Sequence, residues 1–105
     1  MRNITEERIV YKPFEYPEAF DFYLKQQQAH WLWTEVPMMA DVTDWKSNLS
    51  ETEKNIIGSI LKGFAQTETV VNDYWSNLVT KWFRKPEIIA MGVCFANMET
   101  VHAEA

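Results

Sequence analysis

The stretch SETEKNIIGSILKGFAQTETVVNDYWSNLVTKW, residues 50–82, decides the fold. It opens with Ser50-Glu51-Thr52-Glu53, a capping box. The serine oxygen accepts from an early backbone N–H, and Glu53 reaches back to the N-cap amide. No proline intervenes before Pro86. Ile57, Leu61, Phe64, Glu68, Val71, Trp75, Leu78 and Trp82 recur at alternating steps of four and three. They therefore share one face of a helix running to about Trp82.

Arg84-Lys85-Pro86 breaks that run. A further helix opens at Pro86 and continues to the end of the sequence, carrying Ile88, Gly92, Phe95, Glu99 and His102 at the same spacing. Upstream, Thr34 to Asn48 reads as a loop or short turns, with Pro37 and several aspartates. A first helix is expected from about Pro17 to Trp31, because proline suits a first helical turn. Residues 1 to about 16 read as an extended arm punctuated by Pro13 and Pro17. Neither long run alternates with period two, so a sheet is disfavoured. The expectation is an all-α chain, a helical bundle.

The chain has 105 residues, enough for one small domain. Apolar residues make up 47% of it and five are tryptophan, which argues for a large, well-filled interior. The net charge of -5 argues against nucleic acid or an anionic membrane as partner. No apolar run is long enough to span a bilayer. The start, MRNITEERIVYK, lacks the apolar core of a signal peptide. Cys94 has no intrachain disulfide partner and reads as a small buried hydrophobe. These features favour a reduced, cytoplasmic setting.

Glu68 is the anomaly in the long stripe. It sits mid-way along an otherwise apolar face. Glu99 does the same on the following helix, with His102 one turn further on. An ionised carboxylate removed from water costs several kcal/mol, roughly, unless something compensates it. Two facing one core also repel. Lys62, Lys81 and Arg84 all fall off the stripe. A divalent metal answers both difficulties, and the imidazole adds a nitrogen ligand. Carboxylate-bridged dimetal bundles use one Glu from each of two helices and a Glu-x-x-His from each of two others. One lone Glu and one Glu-x-x-His are half of such a set. Taken singly the features are ordinary: a Glu-x-x-His is commonly a solvated pair, and a core glutamate can hydrogen-bond a Tyr or Trp. Glu51, Glu53 and Glu104 read as surface, capping or outer acids, and His30 as a surface histidine. Met38, Met39, Met91 and Met98 read as packing residues.

An ordered set of short pieces gives a resemblance. They are Trp31-Leu32-Trp33-Thr34-Glu35-Val36-Pro37, Asp41 to Trp45, Leu49 to Lys54, Phe64-Ala65-Gln66-Thr67-Glu68 and Met98-Glu99-Thr100-Val101-His102. Together they resemble the N-terminal part of the radical-generating small (beta) subunit of class I ribonucleotide reductase. The resemblance implies that residues 1–105 are the N-terminal helices of a single ferritin-like domain. It implies a dinuclear metal centre of iron and/or manganese that activates an oxygen species. The resulting oxidising equivalent would pass to the large catalytic subunit, which makes deoxyribonucleotides. By the same resemblance Glu68 is a terminal ligand, Glu99 the bridging carboxylate, His102 a terminal ligand and Trp31 the radical-transfer residue. Homodimerisation and a remaining C-terminal part of the chain are also implied. The family often has Asp where Glu68 stands, and Glu there resembles manganese-using subgroups. Its radical tyrosine stands four residues after the histidine, which is one position past Ala105. An ending within a turn of the ligands suggests a segment of a longer polypeptide, or a break at a non-standard residue. The alternatives are another ferritin-like dimetal-carboxylate oxidase or oxygenase, and a non-enzymatic helical interaction module.

Overall fold

The structure, a computed structural model, describes residues 3–105. Met1 and Arg2 of the expected arm lie outside the described residues, and Asn3 to Tyr16 form neither helix nor strand. Helix α1 spans Pro17–Gln28 and α2 spans Met39–Thr43. Helix α3 covers Glu51–Asp73 and α4 Pro86–Glu104. No strand occurs among the described residues, so the all-α expectation holds. No described helix is long and apolar enough to cross a membrane.

Helix α1 ends three residues before the expected Trp31, because its last turn tightens: the Ala29 N–H donates to Lys25 O and the His30 N–H to Gln27 O. Trp31 therefore stands in the connection, not on the helix. The loop expected from Thr34 to Asn48 has more local structure than its composition suggests. A 3-10 turn occupies Trp33–Glu35, with the Glu35 carboxylate accepting from Leu32 N–H at 2.9 Å. Helix α2 then runs into a π turn over Asp44–Asn48, where Asn48 Nδ2 donates to Asp44 Oδ1 at 2.7 Å.

The capping box forms as read. Glu53 N–H donates to Ser50 Oγ at 3.1 Å, and Ser50 N–H to Glu53 Oε1 at 3.0 Å. The far end of the run departs from expectation. After Asp73 the helix widens to a π segment, Tyr74–Val79, before a last turn at Thr80–Trp82. Side-chain hydroxyls bond back to the main chain here: Ser76 Oγ donates to Asn72 O at 2.8 Å and Thr80 Oγ1 to Ser76 O at 2.6 Å. The wider turn slips the apolar register by one residue. Val79 and Phe83, instead of Leu78 and Trp82, continue the face of Trp75, and Trp82 is left half exposed.

Helix α4 is the central element, packed between α1 and α3. Its buried residues, Ile88, Gly92, Cys94, Ala96, Met98 and Val101, surround the helix instead of forming one stripe. Phe95 meets Trp75 edge-to-face, with ring centroids 4.9 Å apart. Cys94 is buried, as expected, and its sulfur accepts from Gln27 Nε2 on α1. Gly92 permits the α3–α4 approach: a Cβ there would lie 3.2 Å from Thr80 Cγ2 and 3.3 Å from Trp75 O.

The arm is fastened by charge. Glu87, in the first turn of α4, is fully buried, ion-paired with Arg8, and accepts the backbone N–H of Glu15 at 2.8 Å and of Tyr16 at 3.0 Å. Glu15 in turn meets Arg8 at 3.0 Å and Lys85 at 3.1 Å. Sequence reading missed this cluster, since no short-range spacing joins residues 8, 15 and 87.

The expected large interior is not realised within these residues. The molecule measures 62 × 24 × 16 Å, and its core lies where α1, α4 and the end of α3 meet, around Ala19, Val79 and Ile88. Ile57, Leu61 and Phe64 on α3 are exposed. Met38 and Met39 are exposed as well, so the packing role read for them fails, while Met98 is buried and Met91 packs against the core.

Two outcomes follow for the full-length protein. Gly92→Leu forces the α3–α4 seam apart and lowers stability by about 1–3 kcal/mol. Gly63→Ala, where a Cβ meets nothing, raises it by about 0.5–1 kcal/mol. Urea denaturation measures both. The arm predicts an acid dependence. Burial pushes the Glu87 carboxyl up, but Arg8 and the N–H groups of Tyr16 and Glu15 outweigh it and hold it below the ordinary 4.5. Lys85, then Arg8, lowers Glu15. A lowered folded pKa stabilises above the unfolded value and is lost as pH falls through the folded one. Wild-type stability should thus fall as pH drops from about 4.5, while Arg8→Met, already weaker at pH 7, should lose less on acidification.

Candidate metal centre

Glu68 comes from the last third of α3, and Glu99 and His102 from the last third of α4. Because both helices keep α geometry at these positions, the three-residue step from Glu99 to His102 puts both on one face. His102 Nδ1 lies 3.4 Å from Glu99 Oε2 and 3.5 Å from Glu68 Oε2. One donor atom from each of the three falls within 4.8 Å of the others. The side chain of Glu99 is 15% exposed, that of Glu68 26% and that of His102 41%. The residues predicted from the stripes are thus brought together.

Burial raises the Glu99 carboxyl above its ordinary 4.5, and the neighbouring Glu68 carboxylate raises it further through a shared hydrogen bond and charge; His102 pulls the other way. Arg84, the nearest arginine in sequence to Glu68, spends a guanidinium N–H on Thr80 O at 2.9 Å, one turn back. The seam therefore holds two carboxylates faced by an imidazole.

Trp31 stacks on the His102 ring, with centroids 6.0 Å apart and planes 28° from parallel. Release from α1 is what allows this approach. Trp33, the other tryptophan of the motif, sits in the 3-10 turn and is 38% exposed. His30 is exposed, Glu53 caps α3, and Glu51 is an exposed acid paired with Lys54 at 3.6 Å. Glu104 faces the site: it lines an open cleft of about 250 Å³ with Glu68, Asn72, Glu99 and Thr100. Sequence reading did not single out Asn72 or Thr100. The available signal was position, Asn72 one turn after Glu68 and Thr100 directly after Glu99.

The donor set fits a divalent cation of the first transition row. Two carboxylate oxygens and an imidazole nitrogen suit iron, manganese or zinc, and a cation removes the repulsion that raises Glu99. In metal-free protein that repulsion is a destabilising term. A carboxyl with a raised folded pKa binds protons more readily when folded, so stability falls as pH rises through that pKa. Glu99→Gln should therefore raise the urea midpoint of the chelator-treated full-length protein at pH 7. The gain should shrink as pH falls and wild-type Glu99 takes up its proton. A lowered midpoint at pH 7 would contradict this account.

Comparison with known sequences gives a family. The family profile described as ribonucleotide reductase, small chain, matches residues 8–105. The chain is 35% identical over 103 residues to a probable ribonucleoside-diphosphate reductase small subunit of Invertebrate iridescent virus 6, covering 98% of this chain and 29% of that one. A similarly named protein of Invertebrate iridescent virus 3 is 35% identical over 99 residues, 94% of this chain and 26% of its own. The ribonucleoside-diphosphate reductase small subunit of Dictyostelium discoideum is 29% identical over 104 residues, 95% of this chain and 30% of its own. The chain spans less than a third of the length of each of these relatives. The match takes in both acid-bearing helices and the Trp31 connection, and the chain belongs to the ribonucleotide reductase small chain family.

Proposed function

We propose that the chain supplies the N-terminal helices and part of the metal site of the radical-generating subunit of a class I ribonucleoside-diphosphate reductase. The observation that carries this reading is the convergence of Glu68, Glu99 and His102, with Trp31 stacked on the imidazole. In this reading Glu68, Glu99 and His102 would all hold metal, Glu99 as the shared carboxylate and Glu68 and His102 as terminal ligands. When bound, the iron and/or manganese pair activates an oxygen species and holds the oxidising equivalent used for deoxyribonucleotide synthesis.

The chain's own residues have separable tasks. Glu68 and Glu99 bring negative charge to a half-buried seam, where it attracts cations more strongly than at a fully exposed surface. His102 offers one ring nitrogen to a metal, and the stacked indole restrains the plane of that ring. Trp31 is half-buried and sits in a connection, so it gives an aromatic path from His102 toward the surface. An electron drawn from the large subunit would return along it. Three ligand groups are too few for a pair of metals. The remaining ligands would come from further helices of the same polypeptide. The large catalytic subunit and a second copy of the small subunit are the partners this reading requires, and the cytoplasm is the setting it requires.

Elemental analysis of the full-length protein, with paramagnetic resonance to separate iron from manganese, tests the proposal. The expected result is close to two metal ions per chain. Glu99→Ala and His102→Ala should each lose most of that metal and all reductase activity, and Trp31→Phe should keep the metal but lose activity. Full metal loading in Glu99→Ala would sink the ligand assignment.

A further inference from the structure

Asn72 stands one turn beyond Glu68 and reaches across the seam between α3 and α4. Its Nδ2 donates to the main-chain carbonyl of Ala96 at 2.6 Å and lies 3.4 Å from Thr100 Oγ1. Its Oδ1 lies 3.3 Å from the Ser76 hydroxyl, whose one proton is shared with the shorter bond to Asn72 O at 2.8 Å. Ala96 and Thr100 bracket Glu99 on α4, one turn before it and one residue after it. Asn72, Thr100, Glu68 and Glu99 line the same cleft.

We propose that Asn72 is a positioning residue for the metal centre. It ties the turn of α3 that follows Glu68 to the turn of α4 that precedes Glu99, and so fixes the register in which Glu68, Glu99 and His102 converge. The proposal rests on reading that triad as a metal site.

The physical reason is directionality. Apolar contact is non-directional and tolerates a small slide of one helix along another. A slide of a single residue is only about 1.5 Å, yet it comes with a rotation of about 100° for a side chain to regain its place, enough to disperse three ligand atoms. A short hydrogen bond tolerates far less. Gly92, the close-packed point of the seam, is seven residues before Glu99, about 10 Å along the helix. On the other side of Asn72, Phe64 is 62% exposed and Val70 64%, while Met98 and Val101 beside the acids are buried in apolar contact that has no direction of its own. The π segment begins at Tyr74, two residues after Asn72, where the α3 ladder is already altered. The tie between the helices nearest the acids, apart from the acids and His102 themselves, is this carboxamide.

Titration of the full-length, metal-free protein with Co2+ tests the proposal, reading the affinity and the visible absorption of the bound ion. Wild type, Asn72→Leu, Asn72→Ala and His102→Ala are compared, with a urea melt of each. Leucine keeps the volume of asparagine and removes its hydrogen bonds; alanine serves if leucine does not fold. The expected result is a Co2+ Kd raised about tenfold or more in a folded Asn72 variant, with an altered visible spectrum. A folded Asn72 variant with wild-type Kd and spectrum overturns the proposal, even if its melt is shifted, because that is a purely structural role. Wild-type protein whose Co2+ binding is absent, or unchanged by His102→Ala, overturns the metal reading itself and the positioning role with it.

Discussion

Where Gly92 passes Trp75 and Thr80, α4 comes closer to the π segment and last turn that continue α3 than a Cβ comfortably fits. A Cβ on Gly92 would stand 3.2 and 3.3 Å from its neighbours. The rest of the molecule is arranged about that contact. It sets the spacing of the seam, and about two turns further along α4 the same seam carries Glu99 and His102 opposite Glu68. The partner surface is the π segment Tyr74–Val79, whose slipped register turns Val79 and Phe83 into the core and lets α1 close over the other side of α4.

The parts of this arrangement legible in the sequence are those with a local cause. Ser50 and Glu53 cap α3 through bonds three residues apart, and Glu99 and His102 share a face through a three-residue step. Glu68 was visible because a charge in an apolar row needs a reason. The illegible parts depend on contacts between distant residues or on competition within the main chain. The helix widens to a π segment at Tyr74, so Leu78 and Trp82, correct by periodicity, give way to Val79 and Phe83. Trp31 continues the apparent pattern of α1, yet the helix stops at Gln28 and frees the indole to stack on His102. Asn72 looks like any polar residue until α4 is placed beside it.

Composition misled in a different way. An apolar content of 47% promised a filled interior, yet Ile57, Leu61 and Phe64 lie exposed along α3. A row of large apolar side chains at helical spacing is a face built to be covered. The apolar row enters the core only from Trp75 onward, although α4 already lies against α3 at Glu68 and Asn72. Composition reports how much apolar surface a chain carries, and the number of packed elements decides how much of it is buried.

Helix α4 contains two acids whose contrast bears on the site. Glu87 is fully buried, yet its carboxyl is held below the ordinary range; Glu99 is less buried, yet its carboxyl is raised. Burial alone predicts the reverse order. The partners account for the difference. Glu87 has the Arg8 guanidinium, two main-chain N–H groups and a place in the first turn of a helix, where an anion is favoured. Glu99 has another carboxylate and an imidazole. One acid has its counter-charge within the fold and serves the arm. The other is raised by its burial and by the carboxylate beside it, and a cation held by all three groups would turn that repulsion into attraction. Those two acids lie twelve residues apart on a single helix. The same chain thus solves the buried-carboxylate problem with arginine at Glu87, and in the proposed function a metal would solve it at Glu99.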